Sequence, residues 1–239
     1  MSTRPYSPRE VVSKLEVLYG PAEWLAHHDA LTELVLTILS QHTSDTNSGR
    51  AFMRLKLQFP TWEDVLAASE EEIAEAIKVG GLAAQKAPRI KAALAEIVAR
   101  NGSLDLENVR AMPVHEAREW LVSLKGVGPK TAACILLFAY GKPALPVDTH
   151  VYRVAGRLGL VPEGMNVEKA HAHLEALVPK KLHYAFHISL IKHGRRLCRA
   201  QRPFCPQCPL QKRCPDGQRR LKSGDFAVMA LDVPFASEA

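Results

Sequence analysis

Apolar positions recur at helical spacing along most of the chain. Leu31, Leu34, Val35, Ile38 and Leu39 follow the i, i+3, i+4, i+7, i+8 pattern of one amphipathic helix. Ile90, Ala93, Leu94, Ile97 and Val98 predict a second, stopped by Asn101-Gly102. Val65, Leu66, Ile73 and Ile77 predict two short helices. Ser69 is placed to cap the second, with Glu70, Glu71 and Glu72 facing the positive end of its dipole. Residues 117–124, 131–140, 151–160 and 184–191 read as further helices. No run alternates with period two, and no Asn-Gly or Asp-Gly turn joins strand-like segments. Aromatic residues make up 6% of the chain, fewer than strands usually carry. The expected fold class is all-α. No repeat or low-complexity tract is present, and the tail after Gly224 has no pattern and is expected to be loosely ordered.

The chain has 239 residues, enough for one large domain or two small ones. With 47% hydrophobic and 23% charged residues it has the balance of a globular protein rather than a disordered one. The longest unbroken apolar run, 132–140, has nine residues, too short to span a bilayer. Met1-Ser2-Thr3-Arg4-Pro5 has no apolar run behind it, so no secretory signal is expected. A membrane protein, a secreted miniprotein and a coiled-coil rod are excluded on this reading. A cytoplasmic location is expected, nucleoid-associated in a bacterium.

Charge becomes informative once it is located. Residues 192–222 hold ten basic residues and one acidic residue, Asp216, while the rest of the chain holds 21 basic and 24 acidic. All the excess positive charge therefore lies in one stretch. Such a stretch is either a solvated basic face or a site for a polyanion, whose neutralised phosphates release counterions. The same stretch contains Cys198, Cys205, Cys208 and Cys214, spaced C-x6-C-x2-C-x5-C. Four cysteines this close, without a secretion signal, point to metal or cluster ligation more than to disulfides. Structural zinc sites are usually built from two short C-x2–4-C knuckles, and only Cys205 and Cys208 have that spacing. One close pair with two more distant thiolates suits a cubane, in which each thiolate holds a separate iron; zinc remains the competing reading. Cys134 lies in an apolar run and reads as a core thiol.

The segment Leu124-Lys125-Gly126-Val127-Gly128-Pro129-Lys130-Thr131 reads as a helix ending at Leu124, a Gly-rich turn, and a new helix opened by Pro129. Proline suits a first helical position, where no N–H is needed. Gly126 and Gly128 allow close backbone approach, and a helix start behind such a turn can cradle phosphate. An ordinary helix–helix turn is the competing reading. Lys130 falls in the first turn, where the helix dipole favours the neutral amine that a nucleophile needs. Asp148, ahead of Val151-Tyr152-Arg153, reads as an N-cap.

Together, Leu124 to Thr131, then Val147-Asp148-Thr149-His150-Val151-Tyr152-Arg153, then the four-cysteine spacing resemble the helix-hairpin-helix, Gly/Pro-Asp DNA glycosylases. The resemblance runs from about Leu31 to Cys214. It implies two helical domains with a DNA-binding cleft between them: residues 23–142 as a six-helix barrel carrying the hairpin, and 1–22 with 143–239 as an iron–sulfur domain. It implies a [4Fe–4S] cluster on Cys198, Cys205, Cys208 and Cys214. It implies Lys130 as the nucleophile that attacks C1′ of a flipped-out damaged nucleotide and forms a Schiff base. Asp148 is implied as the carboxylate that steadies charge on the sugar. DNA contacts are implied for Gly126, Val127, Gly128, Thr131 and His150, and for Arg199 and Arg202 between the first two cluster cysteines. Gln41 and His42 lie in Leu39-Ser40-Gln41-His42-Thr43-Ser44-Asp45, where the family has a gap-filling glutamine. Aligned on Leu39 and Asp45, that position is His42. Leu82 stands where the family has a second wedge residue.

The chain departs from the family at Lys125, commonly proline, and at Pro129, commonly basic. The implied activity is a bifunctional DNA glycosylase and AP lyase removing oxidised pyrimidines from duplex DNA. The implied partner is double-stranded DNA with a damaged or abasic site, bound by a monomer with no membrane involved. Two alternatives stay open: a uracil or thymine mismatch glycosylase, suggested by His42, and a non-catalytic iron–sulfur DNA-binding protein.

Overall fold

A computed structural model describes residues 4–26 and 28–229. The first three residues of the N-terminal reading, and 230–239 of the tail, lie outside the described residues. Among the described residues the secondary structure is helical throughout, with no strand. In chain order the helices are α1 (Pro8–Tyr19), α2 (Ala30–Leu39), α3 (Asp45–Gln58), α4 (Trp62–Ala67), α5 (Glu70–Ala76), α6 (Ala83–Asn101) and α7 (Glu107–Ala111). They continue with α8 (Val114–Val122), α9 (Pro129–Cys134), α10 (Thr149–Arg157), α11 (Val167–Leu177), α12 (His183–Arg196) and α13 (Pro215–Ser223). The chain divides into two compact units, Trp24–Pro146 and Met1–Glu23 with Val147–Ala239.

In the unit Trp24–Pro146, α2 is the central helix. Asp29 caps it by accepting from Thr32 N at 2.9 Å. The stripe read from the sequence, Leu31 to Leu39, is buried, and α2 packs against α3, α6 and α9. Fully burying a leucine or isoleucine contributes roughly 1.5–3 kcal/mol, so this stripe anchors the unit. Ser69 caps α5 in a capping box with Glu72. α6 ends as expected at Gly102, whose φ of 77° only glycine adopts without strain. It starts at Ala83, however, and runs through Pro88.

α8 ends two residues before the expected Leu124. Its last turn tightens, with Ser123 N on Glu119 O at 3.0 Å and Leu124 N on Leu121 O at 3.1 Å. The expected helix at 131–140 is α9 followed by a π-helical turn, Ile135–Ala139. Trp24 Nε1 donates to the Leu137 carbonyl in that turn at 2.7 Å. The Trp24 ring lies on Gly141, where a Cβ would come within 3.1 Å of Cε2.

In the other unit, α12 packs against α1 and α10. Val11, Leu15, Val151, Val154, Phe186 and Leu190 are buried there. α1 begins with a capping box between Ser7 and Glu10. Residues 225–229 are irregular, yet Ala227 N donates to Pro203 O at 3.1 Å, so this part of the tail is tied down. No described helix is long and apolar enough to cross a membrane.

Candidate functional site

In the unit Trp24–Pro146 the hairpin joins α8 to α9. Gly126 has φ 85°, and a Cβ there would stand 3.4 Å from the Arg89 side chain of α6. Val127 N donates to Leu124 O at 3.1 Å and closes the turn. Gly128 is the N-cap of α9, with no side-chain capping bond, and Pro129 is the first helical residue. Lys130 follows, half-buried, while Thr131 and Val127 are buried. The hairpin is braced from α6: Lys125 N donates to Glu96 at 2.9 Å and Arg100 Nη1 donates to Ser123 Oγ at 2.6 Å.

Two further loops of this unit present the other expected contacts. His42 is exposed with φ 53°, and Leu82 is 45% exposed with φ 52°. A buried loop leucine would have read as packing; this one projects outward. Arg89 Nη1 donates to Gln41 Oε1 at 3.0 Å. Gln41, His42, Leu82, Gln85, Lys86 and Arg89 line one surface cavity.

Sequence reasoning missed two polar residues here. Glu33, on α2, is buried with 8% exposure, and Thr37 Oγ1 donates to it at 3.3 Å. Burial pushes its carboxyl up to about 7, against the Thr37 bond and the positive charge of Lys130, which pull it down. Lys86 is 1% exposed, and burial lowers its pKa. The signal was available: Glu33 and Thr37 are an i, i+4 polar pair in an apolar helix, and Lys86 stands four residues before Ile90 on the core-facing stripe of α6.

In the unit containing Val147–Ala239, Asp148 is half-buried and caps α10, with Oδ1 accepting from Val151 N at 2.7 Å. The N-cap reading therefore holds. His150, two residues on, lies against Gly194 of α12 and pairs with Arg153 Nη2 at 3.1 Å. Arg153 also donates to the Gly194 and Cys198 carbonyls, tying α10 to the start of the cysteine loop.

Cys198, Cys205, Cys208 and Cys214 line one cavity together with the apolar side chains of Val154, Leu158, Leu197 and Phe204. None of the four is in a disulfide. Among the described residues no three His, Cys, Asp or Glu side chains converge on a single ion position. A set of four thiols around one apolar hollow fits a cubane, which spreads its ligands over separate metals. Leu210 N points to Cys208 Sγ at 3.4 Å and Gly217 N to Cys214 Sγ at 3.3 Å, contacts suited to thiolate sulfur. Burial holds Cys208 up at about 12 and Cys214 at about 11, so ligation has to displace their protons. Arg157 donates to the Arg199 and Ala200 carbonyls and pairs with Asp216 at 3.3 Å. Arg199 and Arg202 are exposed on this loop; Arg199 stacks on Phe204 at 4.7 Å, and Arg202 has φ 41°.

A glycine-turn hairpin delivering a lysine, on an all-helical frame with a four-thiol loop, defines a class: helix-hairpin-helix proteins of DNA repair. The chain belongs to the HhH-GPD superfamily of base excision DNA repair proteins, whose sequence profile matches residues 35–180. It is 36% identical to endonuclease III of Thermotoga maritima over 81% of this chain and 86% of that protein. It is 42% identical to an Arabidopsis thaliana relative named as a DNA glycosylase, over 69% of this chain, and spans 56% of that longer protein. A solved structure of a trapped endonuclease III–DNA covalent intermediate matches with a TM-score of 0.77 and 31% identity, covering 89% of this chain and 96% of that one.

Proposed function

We propose that the protein is a bifunctional DNA glycosylase and AP lyase of base excision repair, of the endonuclease III type, acting on oxidised pyrimidines. The observation that carries this reading is the position of Lys130. It is the second residue of a helix opened by a Gly-X-Gly turn, half-buried, with the buried carboxyl of Glu33 within electrostatic reach. An amine so placed is held at a phosphate-gripping turn and is not a freely solvated surface charge.

The neutral Lys130 amine attacks C1′ of the extruded nucleotide, the C1′–N bond breaks, and the base leaves with a proton. The amine nitrogen loses its remaining proton as the sugar ring opens, giving a C1′ imine. Removal of a C2′ proton then expels the 3′ phosphate by β-elimination, and water releases the lysine. Asp148 offsets the positive charge that develops on the sugar and assists these proton transfers. Its Oδ1 is engaged by Val151 N, which fixes the orientation of the carboxylate. Gly126, Val127, Gly128 and Thr131 hold the backbone of the damaged strand. Gln41, His42 and Leu82 fill the space the nucleotide vacates, and His150, Arg199 and Arg202 contact flanking DNA. Cys198, Cys205, Cys208 and Cys214 hold a [4Fe–4S] cluster, which serves as a structural clasp for the basic loop. The protein acts on duplex DNA as a monomer.

Borohydride trapping tests the chemistry. Incubated with a duplex carrying thymine glycol or an abasic site, the protein should yield a covalent adduct that Lys130→Ala abolishes. No adduct, or one that survives Lys130→Ala, sinks the assignment. A panel of lesions then separates oxidised pyrimidines from uracil or thymine mismatches. Damage-independent binding without cleavage would favour a purely binding role.

A further inference from the structure

The two loops that carry His42 and Leu82 are joined by one buried ammonium. Lys86 Nζ donates to the Leu39 carbonyl at 2.7 Å and to the Gly80 carbonyl at 2.9 Å. Leu39 is the last residue of α2, and Gly80 ends the short 3-10 turn Lys78–Gly80. Such terminal carbonyls have no partner within their own helix and carry the negative end of its dipole, so a cation is suited to both. Three residues after Leu39 comes His42, and two after Gly80 comes Leu82; both have positive φ, of 53° and 52°. Left-handed backbone at a side-chain-bearing residue is strained and persists only where the surroundings enforce it. Gly80 is itself seated tightly on α3, since a Cβ there would meet Ala51 Cβ at 3.0 Å.

A buried ammonium is costly unless its hydrogens are taken up, and methionine or leucine would fill this position on α6 at less cost. Holding the two loops is what a lysine adds. We propose, on the reading that these loops enter DNA, that Lys86 is a positioning residue. It fixes the separation of His42 and Leu82, so that the two side chains enter the helix as a single two-pronged wedge. Lys86 touches neither the lesion nor the reacting atoms. Its effect is confined to steps that need the strands parted and the gap filled.

The test compares two substrates. A lesion in duplex DNA needs the wedge; an abasic site in a single strand needs only the nucleophile. Lys86→Met removes the donors at similar volume. It should slow single-turnover base release from the duplex by about 30-fold, and leave borohydride trapping on the single-stranded abasic oligonucleotide within about 3-fold. It should also weaken the fluorescence rise of 2-aminopurine placed opposite the lesion. Lys86→Arg, which keeps the donors, should restore most of both signals. Equal losses on both substrates, or none on either, overturn the proposal. Absence of trapping in the wild type would instead strike at the enzymatic reading and leave the 2-aminopurine comparison to decide this one. Should Lys86→Met not fold, Lys86→Gln can be followed by amide exchange. Loosening of both loops, 40–43 and 80–83, supports a shared tie, and loosening of one alone refutes it.

Discussion

Glu33→Gln is the substitution with the most direct physical consequence. The Glu33 carboxyl is 8% exposed, with Thr37 donating at 3.3 Å. Burial raises it from its ordinary 4.5 to about 7, and the nearby charge of Lys130 limits the rise. In the unfolded chain it titrates near 4.5, so the folded state holds its proton more tightly. That preference stabilises the fold fully below the unfolded value and is lost as pH rises through about 7. At 1.36 kcal/mol per pKa unit the loss amounts to ~3 kcal/mol above pH 8. Glutamine keeps the shape and the acceptor for Thr37 but does not titrate. Urea unfolding of both proteins across pH 5 to 8.5 should therefore give similar stabilities at the acid end. The glutamine variant should be favoured by ~2–3 kcal/mol at the basic end. A difference between the two that stays flat within ~1 kcal/mol would refute the reasoning. In a Lys130→Met background the restraining charge is gone, so the midpoint of that difference should move to higher pH.

Three further expectations follow from local geometry. Asp148→Asn keeps an acceptor for Val151 N, so thermal stability should change little while turnover falls at least ~100-fold; Asp148→Ala should in addition lose ~1 kcal/mol of capping. Base release and melting measured on the same samples decide this, and normal turnover by the asparagine variant counts against the assigned role. Gly141→Ala places a Cβ 3.1 Å from Trp24 Cε2 at φ 63°, and should cost ~1–3 kcal/mol in urea unfolding with a shift of Trp24 emission. Asp216 accepts from Arg220 at 2.7 Å and pairs with Arg157 and Arg219 beside the cysteine loop. If the four cysteines hold the proposed cluster, Asp216→Asn should hasten loss of its visible absorbance to a chelator, and equal rates would show that this network does not brace the loop.

Much of the frame was legible because it is written in apolar periodicity and caps. The stripe of α2, the Ser69 cap of α5 and the Gly102 stop of α6 all stand where local chemistry puts them. Helices with little apolar pattern were not read. α3 buries only Ser48, Ala51 and Leu55 and leaves Met53 and Leu57 exposed, so its apolar residues mark the wrong face. α13 buries only Gly217; it is started by Cys214, whose sulfur accepts from Gly217 N, a signal belonging to the cysteine loop. The apolar stripe from Ile90 marks only the later part of α6; the helix starts at Ala83 and runs through Pro88, which removes a donor, and it packs against α2 and α5.

The candidate site divides along the same line. Lys130, Asp148 and the four cysteines are chemically distinctive at recognisable spacings, and so could be picked from the sequence. The residues that brace the loops of the unit Trp24–Pro146 could not, because a lysine or glutamate on a helix is ordinarily a solvated charge. Their role shows only in the helical register. Lys86, Arg89, Glu96 and Arg100 fall at intervals of 3, 7 and 4 along one face of α6. Lys86 holds the Leu39 and Gly80 carbonyls, Arg89 reaches Gln41 while its stem lies under Gly126, and Glu96 and Arg100 hold the backbone and side chain of the hairpin turn. One polar stripe thus ties together the three loops of the unit that bear its expected DNA contacts. A helix selected for stability alone would place apolar residues at Lys86 and leave the rest to solvent. Keeping a charge at Lys86, the one buried position of the stripe, is the physical mark of a surface whose loops have to be held at fixed distances.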